Sequence, residues 1–463
     1  MAQVILALPA YSLLARLAAC GLFSLALLSL WRYAKDTARP APIVPLIMLE
    51  FYLLYGFAQF FHSTMALAGG IYIPSEGALA AAAGVALIAA VMFLLGQRAG
   101  SLLFKKRSLV PWSVYPNPSG ILPFAATIYA VCALTYAVAI SLGRFIPDMA
   151  IRNILNGIFN PELAFLILLF LYLNKAGSTR RWVIYASFSV LLLLGITSGM
   201  IEGVIAPVYV LFLSSYMWKG QTKVKWLMGL LALYIILTPA KYTYRQLEQW
   251  GQTGQLQTSL QERLDNWKEA LESGWSDPFA IEDALQTSTG RTSFIVQLAQ
   301  VIDWTPGIVP YNRGAGFKTA LLFFVPRFIW SSKPGLSDLT ANRYATTFGL
   351  TTYQGTQVST IGIFQPADGY WDWGLVGAMG YPFLYGLLVE ALFLGLNKSA
   401  PQARLIGAFF TVSFFQGLVA FSNIIASLAS LFVFSWVVLK GLQFLSQIFF
   451  KPRSRTHGII VAL

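Results

Sequence analysis

Long apolar runs, most of them closed by a cluster of Lys and Arg, constrain this chain more than any other feature. The first extends from about Leu13 to Leu30 and stops at Arg32, Lys35 and Arg39. A helix needs roughly 20 apolar residues to cross about 30 Å of hydrocarbon. In that solvent the backbone must satisfy its own hydrogen bonds, which only helices and closed barrels achieve. The pattern predicts an all-α polytopic membrane protein. Further spans are expected near residues 43–62, 77–95, 121–142, 161–173, 182–197, 204–218 and 226–239, and then 374–396, 405–420 and 424–439. That makes about 11 transmembrane helices by length and hydropathy.

Composition agrees. Of 463 residues, 57% are hydrophobic and only 11% charged, which excludes an ordinary soluble domain. The net charge of +13 would suit nucleic acid if it were spread over a polar surface. Instead the excess Lys and Arg fall in loops near residues 32–39, 98–107, 175–181 and 219–225, while the alternate loops carry few. The positive-inside rule makes the basic loops cytoplasmic, and no nucleic-acid partner is expected. Between Ala240 and Trp371 acids slightly outnumber bases. The chain thus divides into an N-terminal bundle of about eight spans (1–239), a large extracytoplasmic loop (240–373), and C-terminal spans with a basic cytoplasmic tail (374–463). Cys20 and Cys132 lie within apolar runs and His62 is far from His457. No disulfide framework, metal site or cofactor is expected.

The loop is expected to carry short helices. Leu256, Leu260, Leu264, Trp267 and Leu271 recur at helical spacing, as one face of an amphipathic helix. Phe294, Leu298 and Val301 form a second such face. The run from Lys318 to Trp330 is interrupted at Pro326-Arg327 and reads as re-entrant or interfacial. Between spans, the stretch from Arg144 to Asn160 reads as interfacial too, with Ile146, Met149, Ile154 and Ile158 toward lipid.

The chemistry is expected between Arg291 and Trp373. Arg291, Arg327, Lys333, Asn342, Arg343, Asp368 and Tyr370 lie there among Pro, Gly and aromatic residues. Basic forks suit an anionic ligand, and a carboxylate beside them suits proton transfer. Plainer roles compete. The bases can pair with acids or lipid headgroups. Asp368 can cap the span that begins near Trp373. Asp303, Asp338 and the Glu282-Asp283 pair are rival acids. Trp330, Tyr370, Trp371 and Trp373 fit sugar stacking or an interfacial belt. Glu50 and Glu390 fall inside apolar spans, where a carboxylate needs a partner or a function.

Three segments carry a resemblance: PRFIWSSKP from Pro326 to Pro334, then Asn342, then STIGIFQPADGYWDWGLVG from Ser359 to Gly377. Together they resemble the oligosaccharide repeat-unit polymerases, the O-antigen polymerase or Wzy family. The match covers about eighty residues; elsewhere only hydropathy and layout agree. Family members often carry an arginine after a mid-chain Gly-Ser turn, whereas this chain reads TSGMIEGV, with Glu202 near that place. No arginine is carried over there.

The resemblance implies a glycosyltransferase of the bacterial inner membrane. It would polymerise polyprenyl-diphosphate-linked oligosaccharide repeat units into a surface polysaccharide on the outer face. Asp368 would be the general base and Arg327 would stabilise the leaving diphosphate. Arg291, Lys333, Asn342, Arg343, Thr360 and Tyr370 would bind the diphosphate and glycan. Membrane lipid, a chain-length regulator protein and a flippase of the same pathway are the implied partners. A ligase transferring finished glycan to another lipid would use similar chemistry. A non-enzymatic transporter of lipid-linked glycan is the third alternative; its polar residues would be distributed through many spans rather than gathered in one loop.

Overall fold

The computed structural model describes residues 13–35, 42–57, 72–104, 114–141, 149–174, 181–197, 201–219, 260–276, 294–316, 341–358, 362–396, 401–414 and 420–449, with isolated positions between 229 and 247. Among these the chain is helical with no strand. The longer helices are α1 (Leu13–Lys35), α2 (Ile43–Phe51, continued by one π turn, Tyr52–Gly56), α3 (Glu76–Phe104) and α4 (Pro123–Ser141). Then come α5 (Met149–Ile158), α6 (Pro161–Leu173), α7 (Arg181–Thr197), α8 (Ile201–Lys219) and α9 (Leu260–Ser276). The last are α10 (Phe294–Trp304), α11 (Ala341–Thr347), α12 (Tyr353–Val358), α13 (Gln365–Leu396), α14 (Pro401–Phe414) and α15 (Phe421–Phe449). Six stretches among the described residues are long and apolar enough to cross a membrane, and four shorter apolar helices accompany them. The protein is membrane-embedded. Of the expected spans, the one near 226–239 lies almost wholly outside the described residues.

The helices form two packed bodies of apolar side chains. One joins α1, α2, α3, α10, α11 and α13; the other joins α4, α6, α7, α8, α14 and much of α15. At the centre of the second, α6 is buried on every side from Leu163 to Leu171, as expected of an all-apolar helix enclosed by others. Asn160 starts it, its Oδ1 accepting the Leu163 N–H at 2.7 Å, with Pro161 in the first turn.

The first body is built on a glycine seam. Gly96 and Gly100 lie one turn apart on α3, facing Gly386 on α13. A Cβ at Gly96 would strike the Phe383 carbonyl, one at Gly386 the Phe93 carbonyl, and one at Gly100 would come within 2.9 Å of Glu390 Cβ. Small residues at this spacing let two backbones touch, which gives the dispersion contact that holds helices together in lipid. Residue numbers rise together along the seam, Gly96 with Phe383 and Gly100 with Glu390, so α3 and this part of α13 run parallel.

Two loop helices depart from expectation. On α10 the sequence predicted one apolar face, but Ile295 through Val301 are all buried. The helix is sunk between α3 and α13, and both of its glutamines donate to backbone carbonyls. Gln297 Nε2 donates to the Gly362 carbonyl at 2.7 Å and Gln300 Nε2 to the Phe348 carbonyl at 3.1 Å. On α9 the expected stripe is split. Trp267 turns inward with Arg263 and Ala270, stacking on Tyr244 at 4.7 Å, while Leu264 and Leu271 are exposed. On α5, Ile151 and Ile154 are exposed beside Arg152, and the residues from Ile154 onward join α6 in one apolar stretch, Ile154–Leu173, long enough to span.

The seam makes a prediction. Gly96→Ala should lower the melting temperature in detergent sharply, because the methyl collides with backbone and overpacking costs about 1–3 kcal/mol. Gly84→Ala, also on α3 but with open space around it, should leave melting unchanged or raise it slightly. Equal melting of the two variants would sink the close-approach account.

Candidate functional site

The polar groups gather where α13 breaks. Trp373 (φ −141°, ψ 23°) and Gly374 (φ 60°, ψ −146°) leave the helical region. Gly374 is in the left-handed half of conformational space with an extended ψ, a combination that glycine tolerates and a side chain resists. A first arm, Gln365 to Asp372, therefore ends there, and a second runs from Leu375 to Leu396. The second arm is about 33 Å long at 1.5 Å per residue, enough to span.

The arms do not continue in line. A Cβ added to Gly369 would strike the Gly377 carbonyl, and one added to Gly377 would strike the Gly369 carbonyl. Residues eight positions apart in a straight helix stand about 12 Å apart. Here their backbones touch, so the chain doubles back and the first arm lies against the start of the second.

Asp372 holds this reversal. Its Oδ2 accepts the Tyr381 hydroxyl at 2.5 Å and its Oδ1 accepts Asn312 Nδ2 at 2.8 Å. The Gly314 backbone N–H also donates to it. Arg313 (φ 50°) and Gly314 (φ 71°) are both left-handed, which turns their backbone toward the end of the arm. Asn312 N–H bonds the Trp371 carbonyl at 2.9 Å and Arg313 N–H the Asp372 carbonyl at 3.3 Å. The loop after α10 thus closes the C-terminal end of the first arm, satisfying carbonyls that a helix end leaves open.

Asp368 lies one turn earlier, on the same face of the arm. It is buried, 5% exposed. Among the described residues its carboxylate receives one hydrogen bond, from the backbone N–H of Phe421 at 3.3 Å. Phe421 is the first residue of α15. Asp368 therefore meets the N-terminus of α15, not that of the span following Trp373. Around it lie polar atoms with unused capacity. Gln365 is fully buried, and among the described residues neither its amide nitrogen nor its oxygen has a hydrogen-bond partner; the hydroxyl of buried Ser422 has none there either. Unmet groups of this kind are rare in interiors and cost about 1–3 kcal/mol each.

Of the other expected residues, Asn342 and Arg343 are on α11. Asn342 is buried. Arg343 is exposed, its guanidinium 5.7 Å from the centre of the Trp371 ring, and near enough to Asp372 to interact electrostatically. Tyr370 is half-buried against the first apolar body. Trp371 is a core residue, 3% exposed, edge-on to Phe348 and donating through Nε1 to the Pro310 carbonyl at 3.3 Å. Trp373 is exposed at the break. Arg291, Arg327, Lys333 and Thr360 lie outside the described residues, as do Trp330, Asp338, Glu282 and Asp283. The rival acid Asp303 accepts the Tyr72 hydroxyl at 2.5 Å. Burial, and then the adjoining Asp303, push the Tyr72 phenol well above its ordinary range, so it stays a donor. Glu390 is buried on the second arm and accepts Gln97 Nε2 at 3.0 Å.

The sequence reading missed Asp372, which no hydropathy or propensity argument separates from Asp368. The available signal was the pair of glycines, Gly369 and Gly377, flanking Asp-Trp-Gly, a spacing that permits a tight reversal.

Asp372 and Asp368 should respond differently to the same substitution. Three donors aim at Asp372, so Asp372→Asn must present its NH2 to at least one of them. A lost bond of this kind costs about 1–3 kcal/mol, and melting in detergent should fall accordingly. Asp368→Asn keeps an oxygen for the Phe421 N–H and should melt close to wild type. The reverse order of melting temperatures would contradict the assignment of Asp372 as the residue holding the reversal.

No curated protein and no solved structure matches this chain. A family match begins at the start of α4, takes in Arg343, Asp368 and Asp372, and ends just beyond Phe421. The chain belongs to that family, described as Domain of unknown function (DUF8712), over residues 124–423.

Proposed function

We propose that this protein is a membrane glycosyltransferase that polymerises polyprenyl-diphosphate-linked oligosaccharide repeat units. The reading rests on the resemblance between Pro326 and Gly377. One structural observation supports it: a buried carboxylate, Asp368, with a single hydrogen bond among the described residues, lies at a doubled-back helix that also carries buried Gln365, with exposed Arg343 near the same turn.

In this scheme the acceptor sugar hydroxyl attacks the anomeric carbon of the lipid-linked donor. A new C–O bond forms while the bond from that carbon to the diphosphate breaks. Asp368 takes the hydroxyl proton. The lipid diphosphate leaves with the bonding electron pair. Arg327, with Arg291, Lys333 and Arg343, stabilises the charge that builds on it. Asn342, Thr360 and Tyr370 position diphosphate and glycan. The donor and the new product are both lipid-linked, so the reaction needs no nucleotide-sugar domain.

Topology fits the same scheme. The site adjoins the start of α3, where Tyr72 meets Asp303, and α3 ends toward the basic residues from Arg98 onward. With the basic ends in the cytoplasm, the site opens to the outer face of a bacterial inner membrane. About 11 spans and a large extracytoplasmic loop complete this arrangement.

The test is ladder formation by purified protein given a lipid-linked repeat unit. Wild type should extend it stepwise. Asp368→Asn should melt like wild type, still bind the donor, and form few products, because an amide is a very weak base. Arg327→Lys keeps the charge but loses the planar fork, so it should bind donor yet turn over slowly. A normal ladder from Asp368→Asn would remove Asp368 from catalysis. Single transfer onto a different acceptor lipid, with no ladder, would identify a ligase instead. Movement of the lipid-linked unit across the membrane without any new glycosidic bond would favour a transporter.

A further inference from the structure

At the opposite end of the first helical body is a cavity of about 500 Å³. It lies between the last turn of α1, the first turn of α2 and the later part of α3. Among the described residues its polar lining is Ser29, Arg32, Lys35, Gln97, Arg98 and Ser101, with no carboxylate. Phe393 contributes from the second arm of α13. That is about 27 Å along the arm from its start at Leu375, at 1.5 Å per residue, so this cavity is separate from the site at the break.

Two features point to an anion. Arg32, Lys35 and Arg98 converge from two different helices. The cavity also meets the N-terminus of α2 through Ile43, Val44 and Pro45. Pro42 at that end makes no capping hydrogen bond, and the partial positive charge of a helix N-terminus adds to that of the bases. The C-terminal carbonyls of α1 oppose this, but Arg32 and Lys35 in its last turn more than offset them. Aromatic residues then fix the depth. Trp31 is exposed, Lys35 Nζ lies 4.0 Å over its ring, and Tyr33 lines the same cavity. Trp and Tyr at a helix end mark the headgroup level of a bilayer.

We infer that this cavity binds the phosphate of an anionic phospholipid headgroup in the leaflet at the basic end of the protein. The shared chemistry is a phosphate-bearing anion. The aromatic lining and the position at a bilayer surface favour the lipid over a phosphate in solution. Between-helix pockets with several basic groups recognise lipid headgroups in this way. The inference does not depend on the proposed reaction, and its test uses no turnover.

The experiment is retention of lipid by the full chain, reconstituted in phosphatidylcholine bilayers containing phosphatidylglycerol and then extracted in neutral detergent. Native mass spectrometry reads the bound lipid. Wild type should retain phosphatidylglycerol in preference to phosphatidylcholine. Lys35→Gln and Arg98→Gln should each weaken that preference about fivefold. Lys268→Gln, on an exposed position of α9, should leave it unchanged. Lys35 is exposed, so its variant reports even if Arg98→Gln folds poorly. Equal preference in Lys35→Gln and wild type would overturn the inference, as would an equal loss in Lys268→Gln, which would mean diffuse charge attraction. If inorganic phosphate binds and phosphatidylglycerol is not preferred, the site takes a soluble anion and the lipid assignment falls.

Discussion

The fold-back of α13 depends on two glycines touching. Gly369 and Gly377 meet backbone to backbone, and only residues without a Cβ can do so. This contact sets the first arm against the second and fixes where Asp368 and Asp372 point. A continuous helix would have held Gly369 about 12 Å from Gly377 and carried Asp368 away from the start of α15. The reversal uses unusual backbone at Trp373 and Gly374, and such backbone persists where the surroundings over-determine it. Here those surroundings are Asp372 with its three donors, and the loop from Asn312 to Gly314 that closes the arm.

The two carboxylates divide the work. They are one turn apart on one arm and both buried, yet Asp372 is fully engaged and Asp368 nearly idle. A carboxylate that already accepts from a tyrosine, an amide and a backbone N–H is a structural anchor. Among the described residues its neighbour accepts only the first N–H of α15, which ties two helices together while leaving most of its accepting capacity unspent. Burying that capacity beside Gln365 and Ser422 is costly. A chain optimised for stability alone would fill the space with apolar side chains.

Much of the architecture was legible because hydrocarbon imposes a simple rule. The expected spans at 13–30, 77–95, 121–142, 182–197 and 204–218 each fall on a helix, though α1 and α3 continue farther. Even the span expected from Gly374 begins at the break, since Gly and the preceding aromatic residues changed the hydropathy there. Asp368 was legible as an acid at the lip of a span. Its partner was not, because Phe421 is distant in sequence and contributes a backbone group with no sequence signature. Burial of α10 was hidden for a related reason. Phe294, Leu298 and Val301 mark one apolar face, but Gln297 and Gln300 disguise the others until their acceptors, the Gly362 and Phe348 carbonyls, are known.

The glycine seam joins the two ends of the first body. Along it α3 and the second arm of α13 are locked at backbone contact, from Phe93 to Gly100 on one helix and Phe383 to Glu390 on the other. Helices in such contact slide poorly, since any shift brings side chains where only glycine fits. The pair acts as a strut, with the doubled-back turn at one end and the basic cavity at the other. Gln97 and Glu390 bond across its lower part, beside the cavity that Gln97 also lines. A site built on rigid elements holds its groups more closely than one built on loops. Half of the strut, α3, lies outside residues 124–423 that define the family, so the second arm that the first arm folds against is packed on a helix beyond the family's bounds.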